Sequence, residues 1–295
     1  MAAYTNVYWW SADGVRLHAR DYGGGDDAPR DGRPPLLCIP GLTRNARDYK
    51  AFAEAHAGEW RVIAVSLRGR GESGYAKDAM SYVPLTYMQD IEALLVDQKI
   101  DRFALVGTSL GGIVGMLLAG ARGGRIAGAL INDVGPEIDA AGLSRIRGYV
   151  GKGSSCPTWL HAARTVAEAN RDIYPDWGLE EWLAMAKRLY RLTSAGRIVL
   201  DYDLRIAEPF RVPGAESGPD MWSALAALGD APVLVMRGER SDILSGPVAE
   251  RMIAALPDAT LATVPGIGHA PTLAEPEAAA PIAAWLERVR VRPVP

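Results

Sequence analysis

Two patterns of apolar residues take turns along this chain. Short continuous runs such as PLLCIPG (35–41), WRVIAVSLRG (60–69), FALVGTS (103–109) and IAGALINDVG (126–135) have the length and character of strands buried on both faces. Between them lie segments with helical spacing, among them an amphipathic stretch near 46–57. PLTYMQDIEALLVDQKI (84–100) carries Leu85, Met88, Ile91, Leu94 and Leu95 at that spacing. This alternation predicts βαβ units and a mostly parallel, doubly wound sheet, an α/β fold. Ahead of it, VYWWSA and VRLHARDYG flank the Asp13-Gly14 turn and read as two short strands.

The alternation stops at Pro136 and resumes near Leu228. The intervening residues read as helices only, including SCPTWLHAARTVAEANRDIY and LEEWLAMAKRLYRL. Strand and helix patterns then return in APVLVMRGERSDIL, GPVAERMIAAL, ATLATVPGIGH and EPEAAAPIAAWLERV. The strands on either side of the helical block need one another to complete a sheet. The expected organisation is therefore one α/β core, residues 1–135 and 229–295, with a helical lid (136–228) inserted between two strands. The Gly/Pro/Asp-rich GGGDDAPRDGRPP is expected to be a flexible surface loop, and RVRPVP a frayed tail.

Composition narrows the function. At 295 residues and 48% hydrophobic, the chain can bury a sizeable core. Its net charge of −3, with the charges mixed along the sequence, leaves no basic footprint for nucleic acid. No run approaches the roughly 18 apolar residues of a membrane helix. The opening MAAYTNVYWWSADG lacks the basic and apolar regions of a signal peptide. Cys38 and Cys156 read as free thiols of a reducing compartment, so a cytoplasmic protein is expected. No Cys/His pair has zinc-ligand spacing, and neither metal nor cofactor is expected. The expected partner is a small-molecule substrate, with the chain a monomer or homodimer.

One run carries candidate chemistry. In FALVGTSLGGIVGM a strand pattern breaks at Gly107-Thr108-Ser109-Leu110-Gly111 and a small-residue helix follows. Glycines two before and two after Ser109 permit a sharp turn that would present its hydroxyl. A serine nucleophile needs a base, a carboxylate behind the base, and donors for an oxyanion. On a parallel sheet these belong at the carboxyl ends of strands. Of the four histidines, His18 lies in an early edge-like strand, His56 on a helix and His161 in the inserted block. Only His269, in TVPGIGHAPTL, follows a strand end. Asp242, Asp133 and Glu239 are all candidates for the carboxylate. The chain order Ser, Asp, His favours Asp242, leaving Asp133 to tie down the base of the lid. The backbone N–H groups of Leu110 and of Leu42, in Pro40-Gly41-Leu42-Thr43, are the candidate oxyanion donors.

With these features in order, the chain resembles the α/β-hydrolase fold superfamily over nearly its whole length. GTSLGG is similar to its nucleophile elbow, LRGRGES to an Arg-Gly-x-Gly-x-Ser turn after an early strand, and GERSDILS and GIGHAPTLAEPE to its acid and histidine loops. Two positions depart from the common pattern: Pro40 stands where histidine often precedes the glycine, and Ser66 where aspartate is frequent. Relatives that open epoxides or displace halide carry aspartate at the elbow, so Ser109 argues against those reactions.

The resemblance implies a cofactor-free serine hydrolase of a carboxylic ester or lactone. Hydrolysis of a C–C bond in a vinylogous diketone, acyl transfer, and a slow-turnover ligand sensor are the alternatives. Four of the eight tryptophans (Trp159, Trp177, Trp182 and Trp222) fall in the inserted block with Tyr149, Tyr174, Tyr190 and Tyr202. They suggest a partly aromatic pocket over Ser109, suited to a hydrophobic or aromatic acyl or alcohol group. Arg145, Arg147 and Arg205 are candidates to hold a substrate carboxylate.

Overall fold

The computed structural model describes residues 2–23, 32–121, 124–153, 155–212 and 219–291. The core of the loop expected to be flexible, 24–31, and the tail beyond Val291 lie outside the described residues. In chain order the elements begin with strands β1 (Tyr4–Trp10), β2 (Arg16–Tyr22) and β3 (Leu36–Ile39), helix α1 (Lys50–His56) and strand β4 (Val62–Ser66). Helix α2 (Pro84–Asp97), strand β5 (Phe103–Thr108), helix α3 (Leu110–Ala121) and strand β6 (Ile126–Asn132) follow. The chain then leaves the sheet for helices α4 (Ala140–Tyr149), α5 (Trp159–Asn170) and α6 (Leu179–Leu189), strands β7 (Tyr190–Leu192) and β8 (Ile198–Leu200), and helix α7 (Met221–Ala226). It returns with strand β9 (Val233–Gly238), helix α8 (Gly246–Ala254), strand β10 (Ala259–Val264) and helix α9 (Pro276–Val291).

Eight strands form one sheet in the order β1-β2-β4-β3-β5-β6-β9-β10. β1 and β2 run antiparallel to their neighbours, and the remaining strands pair in parallel. β2 is therefore an inner strand, and β1 occupies the edge expected for it. Strand side chains alternate between two cores. Phe103 and Leu105 pack on one face with α2, α3 and α8, while Ala104 and Val106 pack on the other with α1 and α9. Burial on both faces explains why these strands read as continuous apolar runs.

β6 and β9 are parallel neighbours, Ala129 opposite Val233, so everything between them is an insertion between adjacent strands. It has a small core of its own, built from α5 and α6 around Ala163, Val166, Trp182 and Met185. One feature differs from the expected purely helical block. Tyr190–Leu192 and Ile198–Leu200 pair as a hairpin, with Gly196 at positive φ in its turn. Strands of three residues are too short for a period of two to show, and RLYRL continues the helical pattern of α6. Helix α7 packs on α3, burying Ala224 and Leu225 in the main core. Cys156 is buried beside Ile198.

Candidate active site

Ser109 stands between the last residue of β5 and the first of α3, at φ +52°. That conformation strains an L-residue, and the neighbouring glycines show why the sequence tolerates it here. A Cβ on Gly107 would lie 2.6 Å from the Gly111 carbonyl oxygen, and one on Gly111 would lie 1.9 Å from that of Ile39. The turn is so tight that strand, helix and neighbouring strand meet backbone to backbone. The Ser109 N–H donates to Asn132 O at 2.8 Å, which ties the turn to the end of β6.

His269 reaches this serine from the loop after β10. Its Nε2 is 2.8 Å from Ser109 Oγ, and its Nδ1 is 2.7 Å from Asp133 Oδ2. A carboxylate only accepts, so Nδ1–H donates to Asp133, and Nε2 is left to accept from the serine hydroxyl. The other Asp133 oxygen accepts the Gly238 N–H at 2.9 Å, and the Asp133 N–H donates to Met236 O at 2.8 Å. Asp133 is fully buried at φ +59°, one residue past the end of β6.

Ser109 and His269 thus come together as expected, but the carboxylate behind the imidazole is Asp133 and not Asp242. Asp242 lies four residues beyond the end of β9, in a loop where Ser241 Oγ accepts the Ile243 and Leu244 N–H groups. Its carboxylate is engaged by Arg145 of α4, whose Nη2 donates to Oδ1 at 2.8 Å and whose Nε donates to Oδ2. The Arg145 hydrogen bonds hold the Asp242 carboxyl below the usual carboxylate range. α4 also packs hard against this loop: a Cβ on Gly142 would lie 2.1 Å from Asp242 O. Chain order ranked the two aspartates wrongly because it could not register which strand end turns toward the histidine loop. Glu239, the third candidate, accepts the Gly266 N–H at 2.7 Å.

The other histidines lie elsewhere. His18 is buried in β2 with Nε2 2.9 Å from Asn6 Oδ1, His56 packs on the Phe52 ring, and His161 contacts Thr158 at the start of α5.

Leu42 and Ser109 line one cavity, and a Cβ on Gly41 would stand 3.7 Å from Ser109 Cβ. Leu110 supplies the first N–H of α3, one of those a helix leaves without an intrahelical partner. Arg70, in the LRGRGES turn, holds the Leu42 carbonyl, one Cα away from the candidate N–H donor. Fully buried, it donates from Nε to Leu42 O at 2.8 Å and from Nη1 to Arg68 O at 2.6 Å. Arg68 in turn is forked onto Asp90 and Asp13. The LRGRGES pattern does not show this contact, and no pattern in the sequence marks Asn132. Its Nδ2 donates to Pro271 O at 2.8 Å, bracing the histidine loop from the residue just before Asp133. Tyr174 braces the same loop from the insertion, donating to Ala270 O at 2.7 Å.

The insertion supplies much of the cavity wall. Tyr149, Ile173, Tyr174 and Met185 contribute apolar surface, and Arg145 and Arg188 contribute charge. The tryptophans expected around Ser109 are placed differently: Trp177 stacks on Tyr174 and Trp182 meets the same ring edge-on inside the insertion, and Trp222 donates to Glu137 Oε1. Of the three candidate arginines, Arg145 lines the cavity, while Arg205 is held by Asp203 and the Ala76 carbonyl. Among the described residues, no helix is long and apolar enough to cross a membrane.

Known proteins share this arrangement of elements. Residues 36–282 match the profile of the alpha/beta hydrolase family. The chain is 33% identical over 248 residues to a 3-hydroxybutyrate-oligomer hydrolase of Cupriavidus necator, covering 82% of this chain and 84% of that protein. It is 25% identical over 263 residues to a 2-(acetamidomethylene)succinate hydrolase of Mesorhizobium japonicum, covering 89% and 88% respectively. The crystal structure of an alpha/beta hydrolase from Novosphingobium aromaticivorans superposes with a TM-score of 0.91 at 53% identity, covering 98% of this chain and 99% of that one. With the family profile spanning the sheet from β3 to within α9, and hydrolase relatives along most of its length, this chain is an enzyme belonging to the alpha/beta hydrolase family.

Proposed function

We propose that this hydrolase cleaves carboxylic esters, open or as lactones, through an acyl-enzyme on Ser109. The observation that carries this reading is the hydrogen-bonded series from Ser109 Oγ through His269 to Asp133. In the first step His269 Nε2 takes the hydroxyl proton as Oγ attacks the ester carbonyl carbon. The Leu42 and Leu110 N–H groups receive the negative charge that develops on the carbonyl oxygen. His269 then gives its proton to the leaving alkoxide, the C–O bond breaks, and an acyl-serine and an alcohol result. Water repeats the sequence on the acyl-serine, returning the free serine and a carboxylic acid. Asp133 touches no reacting atom. It holds the imidazole in the required tautomer and stabilises its charged form. The insertion acts as a lid over this chemistry, and Arg70 restrains Leu42 through its carbonyl. The 33% identical relative is named a 3-hydroxybutyrate-oligomer hydrolase, and oligomers of a hydroxy acid are joined by ester bonds, which supports the same reading.

Steady-state hydrolysis of p-nitrophenyl butyrate tests it. Ser109→Ala is expected to lower kcat by about 10⁴-fold or more. Full activity in that variant, or stoichiometric acylation without turnover in the wild type, would contradict the proposal.

A further inference from the structure

The cavity around Ser109 is lined by more positive than negative charge. Three arginines reach it, Arg44, Arg145 and Arg188, against one carboxylate, Asp48. Arg145 is neutralised by Asp242 behind it. The other two guanidinium groups share Asp48. Arg44 takes both of its oxygens, Nη2 donating to Oδ1 at 2.8 Å and Nε to Oδ2. Arg188 Nε approaches Oδ1 only at 3.4 Å. These side chains are about three-quarters withdrawn from solvent, at 21%, 21% and 27% exposure for Arg44, Asp48 and Arg188. Burial and the neighbouring Arg44 lower the Arg188 pKa, with only partial relief from Asp48.

The excess cation is held in place from both sides of the cavity. Arg44 lies two residues after Leu42, and its stem is so close to the oxyanion loop that a Cβ on Gly41 would meet its Cγ at 3.5 Å. Arg188 sits in the last turn of α6, and its own carbonyl is clamped by Asn45 Nδ2 at 3.1 Å and Arg47 Nη2 at 2.8 Å. An unbalanced guanidinium in such a place favours an anionic ligand, and the planar fork suits a carboxylate.

We propose that Arg188, with Arg44, binds a carboxylate carried by the same molecule as the ester bond presented to Ser109. This rests on the ester-hydrolase reading above and restricts its substrates to acid esters, such as esters between hydroxy acids, in which one end is a free carboxylate. The carboxylate belongs either to the acyl part or to the leaving alcohol.

Two isosteric pairs test this on the wild-type enzyme. Mono-p-nitrophenyl glutarate against p-nitrophenyl glutaramate places the charge on the acyl side. 3-Acetoxybutyrate against 3-acetoxybutyramide places it on the leaving side. In at least one pair kcat/KM is expected to favour the carboxylate by about 10- to 100-fold, the range of hydrogen bonds to a charged group. The pair that responds identifies the side. Arg188→Met is expected to bring that ratio down toward unity, and Arg188→Lys to restore part of it. Thermal melting establishes that both variants are folded. Ratios near unity in both wild-type pairs, with turnover still abolished by Ser109→Ala, would overturn this inference alone. A high ratio untouched by both Arg188→Met and Arg44→Met would overturn it too. Retention of turnover by Ser109→Ala would instead remove the ester-hydrolase reading itself.

Discussion

β6 and β9 lie side by side in the sheet, and each is followed by an aspartate near the rim that holds Ser109. Asp133 comes directly after its strand, is fully buried, and divides its oxygens between the His269 imidazole and the Gly238 N–H. Asp242 comes four residues later, keeps 35% of its side chain in solvent, and is forked by Arg145. The difference is one of lever arm. A residue next to the ladder inherits the direction of the strand, as the bond from the Asp133 N–H to Met236 O shows. A residue further out follows its loop, and this loop leans on α4. One carboxylate is placed to act through a histidine, and the other fastens the insertion to the core.

That contrast fixes the order of effects expected from substitution. Asp133→Asn should lower kcat by about 10³- to 10⁴-fold, because an amide can present its NH₂ to Nδ1 and favour the wrong tautomer. Arg70→Met should cost about 10- to 100-fold in kcat with KM little changed, since it loosens one oxyanion donor without removing it. Arg70 acts through the Leu42 carbonyl, so Arg70→Lys should recover part of the loss if that contact is what matters. Asp242→Asn should change kcat less than about threefold, a loss of stability from a half-exposed ion pair being its main consequence.

The smallest effect is a dependence on pH. The Asp242 carboxyl is held below its ordinary value of 3.8, by Arg145 first. A depressed native pKa contributes stability that is present above the unfolded value and lost as pH falls through the native one. The melting temperature of the wild type should therefore exceed that of Asp242→Asn most clearly above about pH 5, by the equivalent of about 0.5 kcal/mol. The gap should close on acidification below the unfolded value.

Much of this molecule is legible in its sequence, and the illegible parts share a cause. The apolar runs at 62–66, 103–108 and 126–132 become central strands because they are buried on both faces. Ser109 stands out through the glycines that its strained turn requires, and His269 because only one of four histidines follows a strand end. What sequence order cannot carry is direction and distance in space. It ranked Asp242 above Asp133, although one turn of loop decides which carboxylate meets the imidazole. The Arg70 contact to Leu42 and the approach of Arg188 to Asp48 join segments far apart in the chain. No local pattern marks such pairs. The β7–β8 hairpin escaped because its strands are too short to show a period.

The account stands on Asp133 as the partner of His269 Nδ1, and proton NMR tests that bond directly. An imidazole N–H donating to a buried carboxylate resonates far downfield of the amide region. The wild type and Asp242→Asn are both expected to show this resonance, and Asp133→Asn to lose it. A signal that survives Asp133→Asn and vanishes in Asp242→Asn would contradict the assignment.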